Sequence, residues 1–141
     1  AMTRIREYQD ADRSQVTDLW HQIFPGSTGH NDPEAAIDRK TAHSDGLFFV
    51  AVDNDVVIGT IMGGYDGHRG WIYSVAVSPN AQRRGIGTAL MKHVERALAD
   101  RGCPKVNLQV RADNEAVVAF YESLGYLVEE RVSLGKLIEP N

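Results

Sequence analysis

Apolar and polar positions in the first half of the chain predict one strand, two helices and a three-stranded meander. Residues 3–8 alternate, as in a half-buried strand. Within residues 10–24, apolar side chains recur at spacings of three and four, which indicates one apolar helix face. Asp32 and Pro33 form a helix start, and this second helix reaches about His43. Three apolar runs then predict the meander strands, at residues 47–52, 56–64 and 71–77.

In the second half, helices alternate with strands. The clearest helix presents one apolar face made of Ile86, Leu90, Val94 and Leu98. Residues 105–110 predict a strand, and Asp113 or Asn114 caps a helix that Gly125 ends. Residues 126–138 predict one or two closing strands. This order predicts an α/β (α+β) fold, in which a mixed sheet has helices on both faces. The run WIYSVAV (71–77) is typical of a strand buried on both faces.

Length and charge narrow this picture to a single globular domain over residues 2–141. A chain of 141 residues suits one domain with a sizeable core. The net charge of -4 argues against nucleic-acid binding, because phosphate contacts need a positive field. No apolar run approaches the roughly 20 residues that span a bilayer, and no secretory-type segment begins the chain. We therefore expect a cytoplasmic protein with no nucleic-acid or membrane partner.

The cysteine and most of the histidines suggest no metal or disulfide chemistry. Cys103 is the only cysteine, so an intramolecular disulfide is impossible, and we expect a small buried side chain rather than a nucleophile. We expect no bound metal, because four histidines lack the spacing of metal ligands and are interpreted as surface or packing residues: His21, His30, His43 and His93.

The stretch QRRGIG (82–87) joins the last meander strand to the start of a helix. The first N–H groups of a helix have no partners within the helix, and they lie at the positive end of its dipole. Gly85 and Gly87 keep side chains away from these groups, while Arg83 and Arg84 add cations at the rim. Together these features predict a pyrophosphate site. Taken alone, the stretch is equally consistent with a turn whose glycines only allow the helix to pack closely.

Two other phosphate-binding loops do not match this stretch. A Walker A loop ends in Gly-Lys-Ser/Thr, whereas this chain has Gly87-Thr88-Ala89. A dinucleotide fold needs a third glycine, near Leu90, and an acidic residue roughly 20 positions further on, after a second strand. Neither condition is met. Phosphotransfer is further disfavoured because the chain shows no paired-carboxylate metal site.

Two motifs in this order resemble the GNAT N-acetyltransferase superfamily. The pattern Gln/Arg-x-x-Gly-x-Gly/Ala after an apolar strand resembles its acyl-CoA loop, and NEAVVAFYESLGY (114–126) resembles its second motif. The stretches NDP, MGGYDGHRG, RGCPK and SLGK are similar to the small bacterial YpeA-type members. The resemblance covers nearly the whole chain. It implies a mixed, mostly antiparallel sheet of six to seven strands, in which the central parallel pair splays apart.

The resemblance also implies a role for each matching position. The backbone of residues 75–77 would pair with the pantetheine arm at the edge that the splay exposes, and the amides of residues 82–88 would hold the pyrophosphate. Asn114 would touch the cofactor from the opposite side, and Phe120 would pack near the pantetheine end. Tyr121 would donate a proton to the departing thiolate. The implied cofactor-binding residues are Val75, Ala76, Val77, Gln82, Arg83, Arg84, Gly85, Ile86, Gly87, Thr88, Asn114 and Phe120.

An amine that attacks a thioester needs an oxyanion donor, a proton for the sulfur and an acceptor for its own proton. A backbone N–H within residues 74–77 would be the oxyanion donor. A tyrosine, with an ordinary pKa near 10, suits an alkyl thiolate, although the helical spacing of Tyr121 alone is more typical of a core aromatic. Many superfamily members carry a glutamate on the strand before the loop, whereas residues 71–77 contain no acid. Asp66, His68 and water are the candidates for the base.

These patterns favour an acetyl-CoA-dependent N-acetyltransferase without a metal. Its acceptor would be a primary amine of a small molecule or peptide, attacking directly in a ternary complex. A non-catalytic acyl-CoA-binding module or sensor on the same fold is the alternative, because the strand acid is missing, although Tyr121 argues against it. Acidic residues of the helix from Pro33 would suit a cationic amine. A homodimer, the commonest oligomer, is also consistent with the chain.

Overall fold

The strands of the apolar meander form the middle of a five-stranded sheet in the computed structural model, which describes residues 3–138. Within that range the strands are β1 (Thr3–Glu7), β2 (Phe48–Asp53), β3 (Val56–Tyr65), β4 (Gly70–Val77) and β5 (Val106–Asn107). They lie side by side in chain order. The first four pair antiparallel, and β4 and β5 pair parallel. The predicted mixed, mostly antiparallel sheet is therefore confirmed.

The described part of the chain contains four α-helices: α1 (Arg13–Ile23), α2 (Pro33–His43), α3 (Ile86–Asp100) and α4 (Glu115–Ser123). The start of α2 is the predicted one, since the Asp32 carboxylate accepts the N–H of Ala35 at 3.1 Å and Pro33 is the first helical residue. Such a cap stabilises a helix by about 1 kcal/mol. None of the described helices is long and apolar enough to cross a membrane.

Helices cover both faces of the sheet, as predicted. On one face, Val16 and Trp20 of α1 share a buried cluster with Met62 of β3. On the other face, Phe49 of β2 meets the ring of His93 on α3 edge-on, with ring centroids 4.5 Å apart. Alternate residues of a strand point to opposite faces, so β2 serves both cores. The predicted role of His93 as a packing residue agrees with this contact.

Two glycines of β3 allow α3 to lie close to the sheet. A Cβ at Gly63 would stand 2.6 Å from Val94 Cγ2, and a Cβ at Gly59 would stand 3.0 Å from Leu90 Cδ1. A side chain at either position would push the helix away from the strand. The predicted apolar face of α3 is confirmed, because each of its four residues is at most 5% exposed: Ile86, Leu90, Val94 and Leu98.

The chain divides into two compact units, one ending at Gln109 and one beginning at Val110. The first unit holds the sheet and α1 to α3, and the second holds α4. In the second unit Asn114 caps α4, because its side chain accepts the N–H of Val117 at 3.3 Å. After the helix, Gly125 adopts a φ of 98°, which ends α4 where the sequence predicts.

The predicted strand count is wrong, because the described residues form five strands rather than six or seven. The predicted strand at 105–110 contracts to Val106–Asn107, and residues 126–138 form no strand. A strand forms only where a second backbone pairs with it, and an apolar pattern does not specify that partner. The apolar side chains of the closing segment are accordingly 67–92% exposed: Leu127, Val128, Val132, Leu134, Leu137 and Ile138.

The prediction that residues 71–77 are buried on both faces is also wrong. Ile72 and Ala76 of β4 are buried, but the Tyr73 side chain is 54% exposed. A tyrosine is amphipathic, so its presence in an apolar run does not establish burial of that position. One face of β4 is therefore accessible beside the buried core.

Candidate active site

Strand β4 pairs with β5 only at its first two residues. Gly70 faces Val106 and Trp71 faces Asn107. Between Ile72 and Val77, none of the described strands pairs with this edge of β4. The N–H and C=O groups along such an edge are available to an extended ligand, which can add to it as a further strand does. This divergence corresponds to the splayed parallel pair that the family resemblance implies.

A bulge interrupts β4 just where it runs unpaired. Thr60 of β3 pairs with Ala76 and Met62 pairs with Tyr73, so two residues of β4 oppose the single residue between them. The first of the two, Ser74, has a φ of 55°. A left-handed conformation costs a non-glycine residue about 1–2 kcal/mol, and a bulge bends the strand and changes the direction of its backbone groups. Sequence reasoning missed the bulge because the position carries serine, not glycine.

The segment after the bulge leads directly to the predicted pyrophosphate loop. Val75, Ala76 and Val77 end β4, a 3₁₀ turn follows at Pro79–Ala81, and α3 begins at Ile86. The Gln82 side chain donates from Nε2 to the carbonyl oxygen of Val77 at 3.3 Å. The unpaired strand edge and the loop are thus continuous, as one elongated ligand with a phosphate end would require.

The loop exposes backbone N–H groups at the start of α3. Gly85 occupies the cap position with a φ of 76°, and no side chain caps the helix. Arg83 also has a positive φ, of 68°. Left-handed residues of this kind let successive amides point into one concavity, where anions bind. Residues Gln82 to Gly85 are exposed, Gly87 and Thr88 are half-buried, and only the Ile86 side chain is buried in the core. The residues present therefore fit a pyrophosphate group.

One of the two loop arginines has an ionic partner within the protein. Arg84 Nη2 lies 2.8 Å from Asp53 Oδ2, at the end of β2. The Asp53 side chain is 14% exposed, and its other oxygen is buried with no hydrogen-bond partner among the described residues. The sequence showed Asp53 only as part of a turn, and nothing local to it indicates a partner some thirty residues away. Arg84 is therefore held beside the loop by a carboxylate that sequence reasoning missed.

The remaining predicted site residues lie in the second unit. Asn114 caps α4, and Phe120 packs edge-to-face on the ring of Tyr121, with centroids 5.0 Å apart. Tyr126 contacts Tyr121 from another side, at 5.9 Å. Tyr121 is buried, and burial raises the pKa of its hydroxyl above the ordinary value near 10. The hydroxyl is therefore protonated at neutral pH and is able to donate.

The two side-chain candidates for the base, Asp66 and His68, lie on the same turn. The Asp66 carboxylate accepts the backbone N–H groups of Arg69 and His68, each at 2.8 Å. These two hydrogen bonds lower the pKa of Asp66, which makes it a weaker proton acceptor. His68 is exposed on the same turn. The geometry is that of a closed turn. Within residues 3–138, no group of histidine, cysteine or acidic side chains is arranged to hold a metal ion.

Comparisons with known proteins agree with this architecture. A sequence model described as the acetyltransferase (GNAT) family matches residues 13–126. An acetyltransferase of Yersinia pestis (strain Pestoides F) is 44% identical over 135 residues, which are 94% of this chain and 93% of the relative. An acetyltransferase of Pectobacterium atrosepticum is 45% identical over 139 residues, 96% of each chain.

Solved structures show the same fold at lower identity. The enzyme AAC(6')-Iy, in complex with a bisubstrate analogue of CoA and acetylneamine, superposes with a TM-score of 0.80 at 21% identity, over 97% of this chain and 99% of that one. A PaiA N-acetyltransferase from Thermoplasma acidophilum, in complex with coenzyme A, superposes with a TM-score of 0.79 at 19% identity, over 94% of each chain.

Proposed function

Because the chain belongs to the acetyltransferase (GNAT) family, we propose that it transfers an acetyl group from acetyl-CoA to a primary amine. The observation that carries the proposal is one continuous feature: β4 leaves β5 after Trp71, bulges at Ser74 and leads into a loop of uncapped amides. We further propose that the two compact units form a single acetyltransferase domain over residues 2–141. The family match supports this, since it extends across both units.

In this proposal the first unit binds acetyl-CoA through its backbone. The unpaired edge of Val75, Ala76 and Val77 hydrogen-bonds the pantetheine arm as an added strand would. The amides from Gln82 to Thr88 bind the pyrophosphate, and Arg83 and Arg84 add positive charge at the rim. Backbone donors at a helix start suit a diphosphate because they are fixed before the ligand arrives. Asn114 and Phe120 keep the cofactor-contact roles that the family resemblance implies.

The transfer proceeds by direct attack in a ternary complex. The amine nitrogen forms a bond to the carbonyl carbon, and the carbon–sulfur bond breaks. A backbone N–H of residues 74–77 hydrogen-bonds the carbonyl oxygen as negative charge develops on it. Tyr121, kept protonated by its raised pKa, gives its proton to the leaving sulfur. The amine proton leaves through water or to the exposed His68, because the Asp66 carboxylate already accepts two backbone N–H groups within its own turn.

The acceptor is proposed only as a class. The similar enzyme AAC(6')-Iy carries the name of an aminoglycoside acetyltransferase, which makes aminoglycosides one group of amines to test. Carboxylates of α2, Glu34 and Asp38, already share Arg13 through contacts of 3.2 and 2.8 Å. Their charge is partly neutralised, so they are weaker attractors for a cationic amine than the sequence alone predicts. We therefore place amino acids, polyamines, aminoglycosides and peptide N-termini on equal terms.

A second function is favoured by one observation. From Trp71 to Val77 the strand offers no acid, and the nearest carboxylate, Asp66, has a lowered pKa. A protein that only binds acyl-CoA, as a sensor or partner, would need no base. The two functions differ in turnover, not in CoA binding.

Two measurements test these proposals. Acetyl-CoA should raise the melting temperature of the protein, while NAD and ATP should leave it unchanged. Equal shifts from all three ligands would contradict the CoA assignment. Release of the CoA thiol should then be followed across the amine panel above. Turnover with any amine supports the transferase, whereas binding of acetyl-CoA without turnover on any of them supports the binding module.

A further inference from the structure

A buried hydrogen-bond relay connects α1 to the bulge of β4. Trp20 Nε1 donates to Thr60 Oγ1 at 2.8 Å, and the Thr60 hydroxyl donates to the carbonyl oxygen of Ser74 at 2.9 Å. Thr60 is completely buried and Trp20 is 3% exposed. The relay therefore starts on a helix, crosses the central strand β3 and ends on the residue whose φ is 55°.

Thr60 places a hydroxyl at a buried position that an apolar side chain would also fill. Thr60 stands among apolar side chains at the core, where a valine would fill nearly the same volume without a buried polar group. It is also the last β3 residue before the register shift, paired with Ala76 immediately beyond the bulge. Its hydroxyl is thus placed where it can hold the displaced carbonyl of Ser74, and the same oxygen accepts the N–H of Trp20.

The conformation of Ser74 is one that an unconstrained serine seldom adopts. Non-glycine residues persist in such conformations when the surroundings hold them there. Two features of the structure do so: the ladder on both sides of the bulge, and the hydroxyl of Thr60. A strand that lost the bulge would shift its register by one residue, which would turn every following N–H and side chain to the other side.

We propose that Thr60 and Trp20 are positioning residues that hold the β4 bulge, and with it the backbone N–H that polarises the thioester carbonyl. This inference rests on the proposed acetyltransferase function. A backbone donor contributes to catalysis only when it is fixed where the charge develops, and loss of one such donor lowers kcat about 10²–10³-fold. A relay that fails to hold the donor should therefore lower kcat by about 10–100-fold.

The relay also holds a helix to the same point. Trp20 lies in the last turns of α1, and its ring stacks on Phe48 with centroids 5.8 Å apart. The helix and the bulge are thus connected through the side chains of Trp20 and Thr60. Replacing Trp20 with phenylalanine removes the outer hydrogen bond and leaves the Thr60–Ser74 bond in place, so we expect a smaller loss than at Thr60.

The test compares Thr60→Val, which removes both hydrogen bonds at similar volume, with Thr60→Ser, which keeps the hydroxyl. Val94→Ala is the control, because Val94 is completely buried on α3, against the other face of the sheet, and takes no part in the relay. We expect Thr60→Val to lower kcat about 10–100-fold and to weaken acetyl-CoA binding by a smaller factor, because residues 75–77 follow the bulge whereas the loop at 82–88 lies beyond it. Thr60→Ser should keep most of kcat, and Val94→Ala should lose stability but not kcat. Equal kcat in Thr60→Val and Val94→Ala would overturn the proposal.

A second readout does not depend on knowing the acceptor. The carbonyl ¹³C resonance of labelled acetyl-CoA, bound to the wild-type protein, should move downfield as the N–H polarises it. Thr60→Val, and to a lesser extent Trp20→Phe, should return it toward the free value. An unchanged resonance in both variants would refute the relay's role while leaving the acetyltransferase intact. A wild-type protein that does not bind acetyl-CoA would refute the proposed function itself, and the relay's role with it. Should Thr60→Val fail to fold, kcat is compared between Trp20→Phe and Thr60→Ser. A lower kcat in Trp20→Phe supports the relay, and equal kcat in the two variants overturns it.

Discussion

Two glycine-containing segments flank β4, and they use their backbone N–H groups in opposite ways. Before the strand, the Asp66 carboxylate accepts the N–H groups of His68 and Arg69, and the turn is closed by its own side chain. After the strand, the N–H groups at the start of α3 have no side-chain cap. Both segments contain glycine at positive φ, namely Gly67 at 91° and Gly85 at 76°.

The difference teaches that glycine at positive φ does not by itself distinguish a turn from an anion site. What distinguishes them is whether the backbone donors are already satisfied. A carboxylate within the turn occupies the donors, as an external anion would. The loop at residues 82–88 has no acidic side chain in it, so its donors are left for a ligand. The comparison also supplies a matched control position for each test of the site.

The largest effect on kcat should come from removing the proposed proton donor. Tyr121→Phe removes the proposed proton donor while keeping the ring that packs on Phe120. We expect kcat to fall about 100-fold, the usual contribution of a positioned proton donor, with little change in acetyl-CoA affinity. The control is Tyr65→Phe, since the Tyr65 hydroxyl lies 3.3 Å from the carbonyl oxygens of Gly67 in the closed turn and of Gly102 after α3. Unchanged kcat in Tyr121→Phe would contradict the proposed catalytic role of Tyr121.

The pH dependence of kcat sharpens the same test. Burial raises the pKa of Tyr121 in the folded protein, so the hydroxyl stays protonated to a higher pH than a free tyrosine. Activity that needs this proton is therefore retained through neutral pH and lost only above the ordinary tyrosine value near 10. A fall in kcat well below that pH would show that a group other than Tyr121 causes the decrease.

A smaller effect, on acetyl-CoA affinity, is expected from changing the backbone conformation of the loop at residues 82–88. Gly85→Val places a β-branched residue at a φ of 76°, where the loop must change its conformation. Strain of about 1–3 kcal/mol corresponds to a loss of about 5–150-fold in acetyl-CoA affinity. Gly67→Val is the control, because its φ is also positive and a Cβ at either glycine meets nothing within 4 Å. Similar affinity losses in both variants, measured by calorimetry, would contradict a specific role for the loop.

The contribution of loop charge should be smaller again. Arg84→Gln removes a cation whose side chain is 42% exposed, and exposed pairs contribute at most about 1 kcal/mol, or about fivefold in affinity. We expect the Kd for acetyl-CoA to rise two- to fivefold at low salt, and less at high salt, where the charge is screened. Arg69→Gln in the closed turn should leave the Kd unchanged.

A double variant identifies the source of that change. Arg84→Gln leaves the Asp53 carboxylate without its 2.8 Å partner, and this negative charge would itself repel a phosphate. If Arg84 attracts the pyrophosphate directly, the double variant Asp53→Asn with Arg84→Gln keeps the raised Kd. A Kd restored to the wild-type value would show that the unpaired carboxylate, not the lost cation, caused the change.

The smallest effect, on stability and not on acetyl-CoA binding, should come from the Asp66 carboxylate of the closed turn. Backbone hydrogen bonds lower the folded-state pKa of Asp66, so the unfolded chain binds its proton first as the pH falls. The stability that this carboxylate contributes is complete above the unfolded pKa near 4 and is lost as the pH drops through the lower folded value. Asp66→Asn should flatten this part of the plot of Tm against pH, with no change in acetyl-CoA affinity. An altered affinity would instead place Asp66 at the ligand site.

Much of the fold was predictable because its signals are local. The apolar spacing of α3, the cap formed by Asp32 and the apolar meander each depend on residues a few positions apart. The form of the loop at residues 82–88 was predictable for the same reason, since glycine, strand end and helix start are adjacent in the chain. Its role as the CoA site stays a prediction until ligand binding is measured.

Other features depended on partners that the local pattern does not contain. The closing segment 126–138 has the apolar residues of a strand but forms none, and Tyr73 is exposed within an apolar run. Burial and pairing are properties of the surroundings of a residue, so identical local patterns have different outcomes. The missing strand acid was visible in the sequence, but the closing of the Asp66 turn was not.

The sequence by itself determined the family, the element order of the first unit and the glycine loop before α3, because motifs and periodicity are written along the chain. Only the tertiary structure decided that β4 bulges at Ser74, that Thr60 holds the bulge and that Asp53 holds Arg84. These contacts join residues 14 and 31 positions apart, and the folded sheet brings them together. The physical reason is that a hydrogen bond or ion pair depends on position in space, which distant parts of the chain fix jointly.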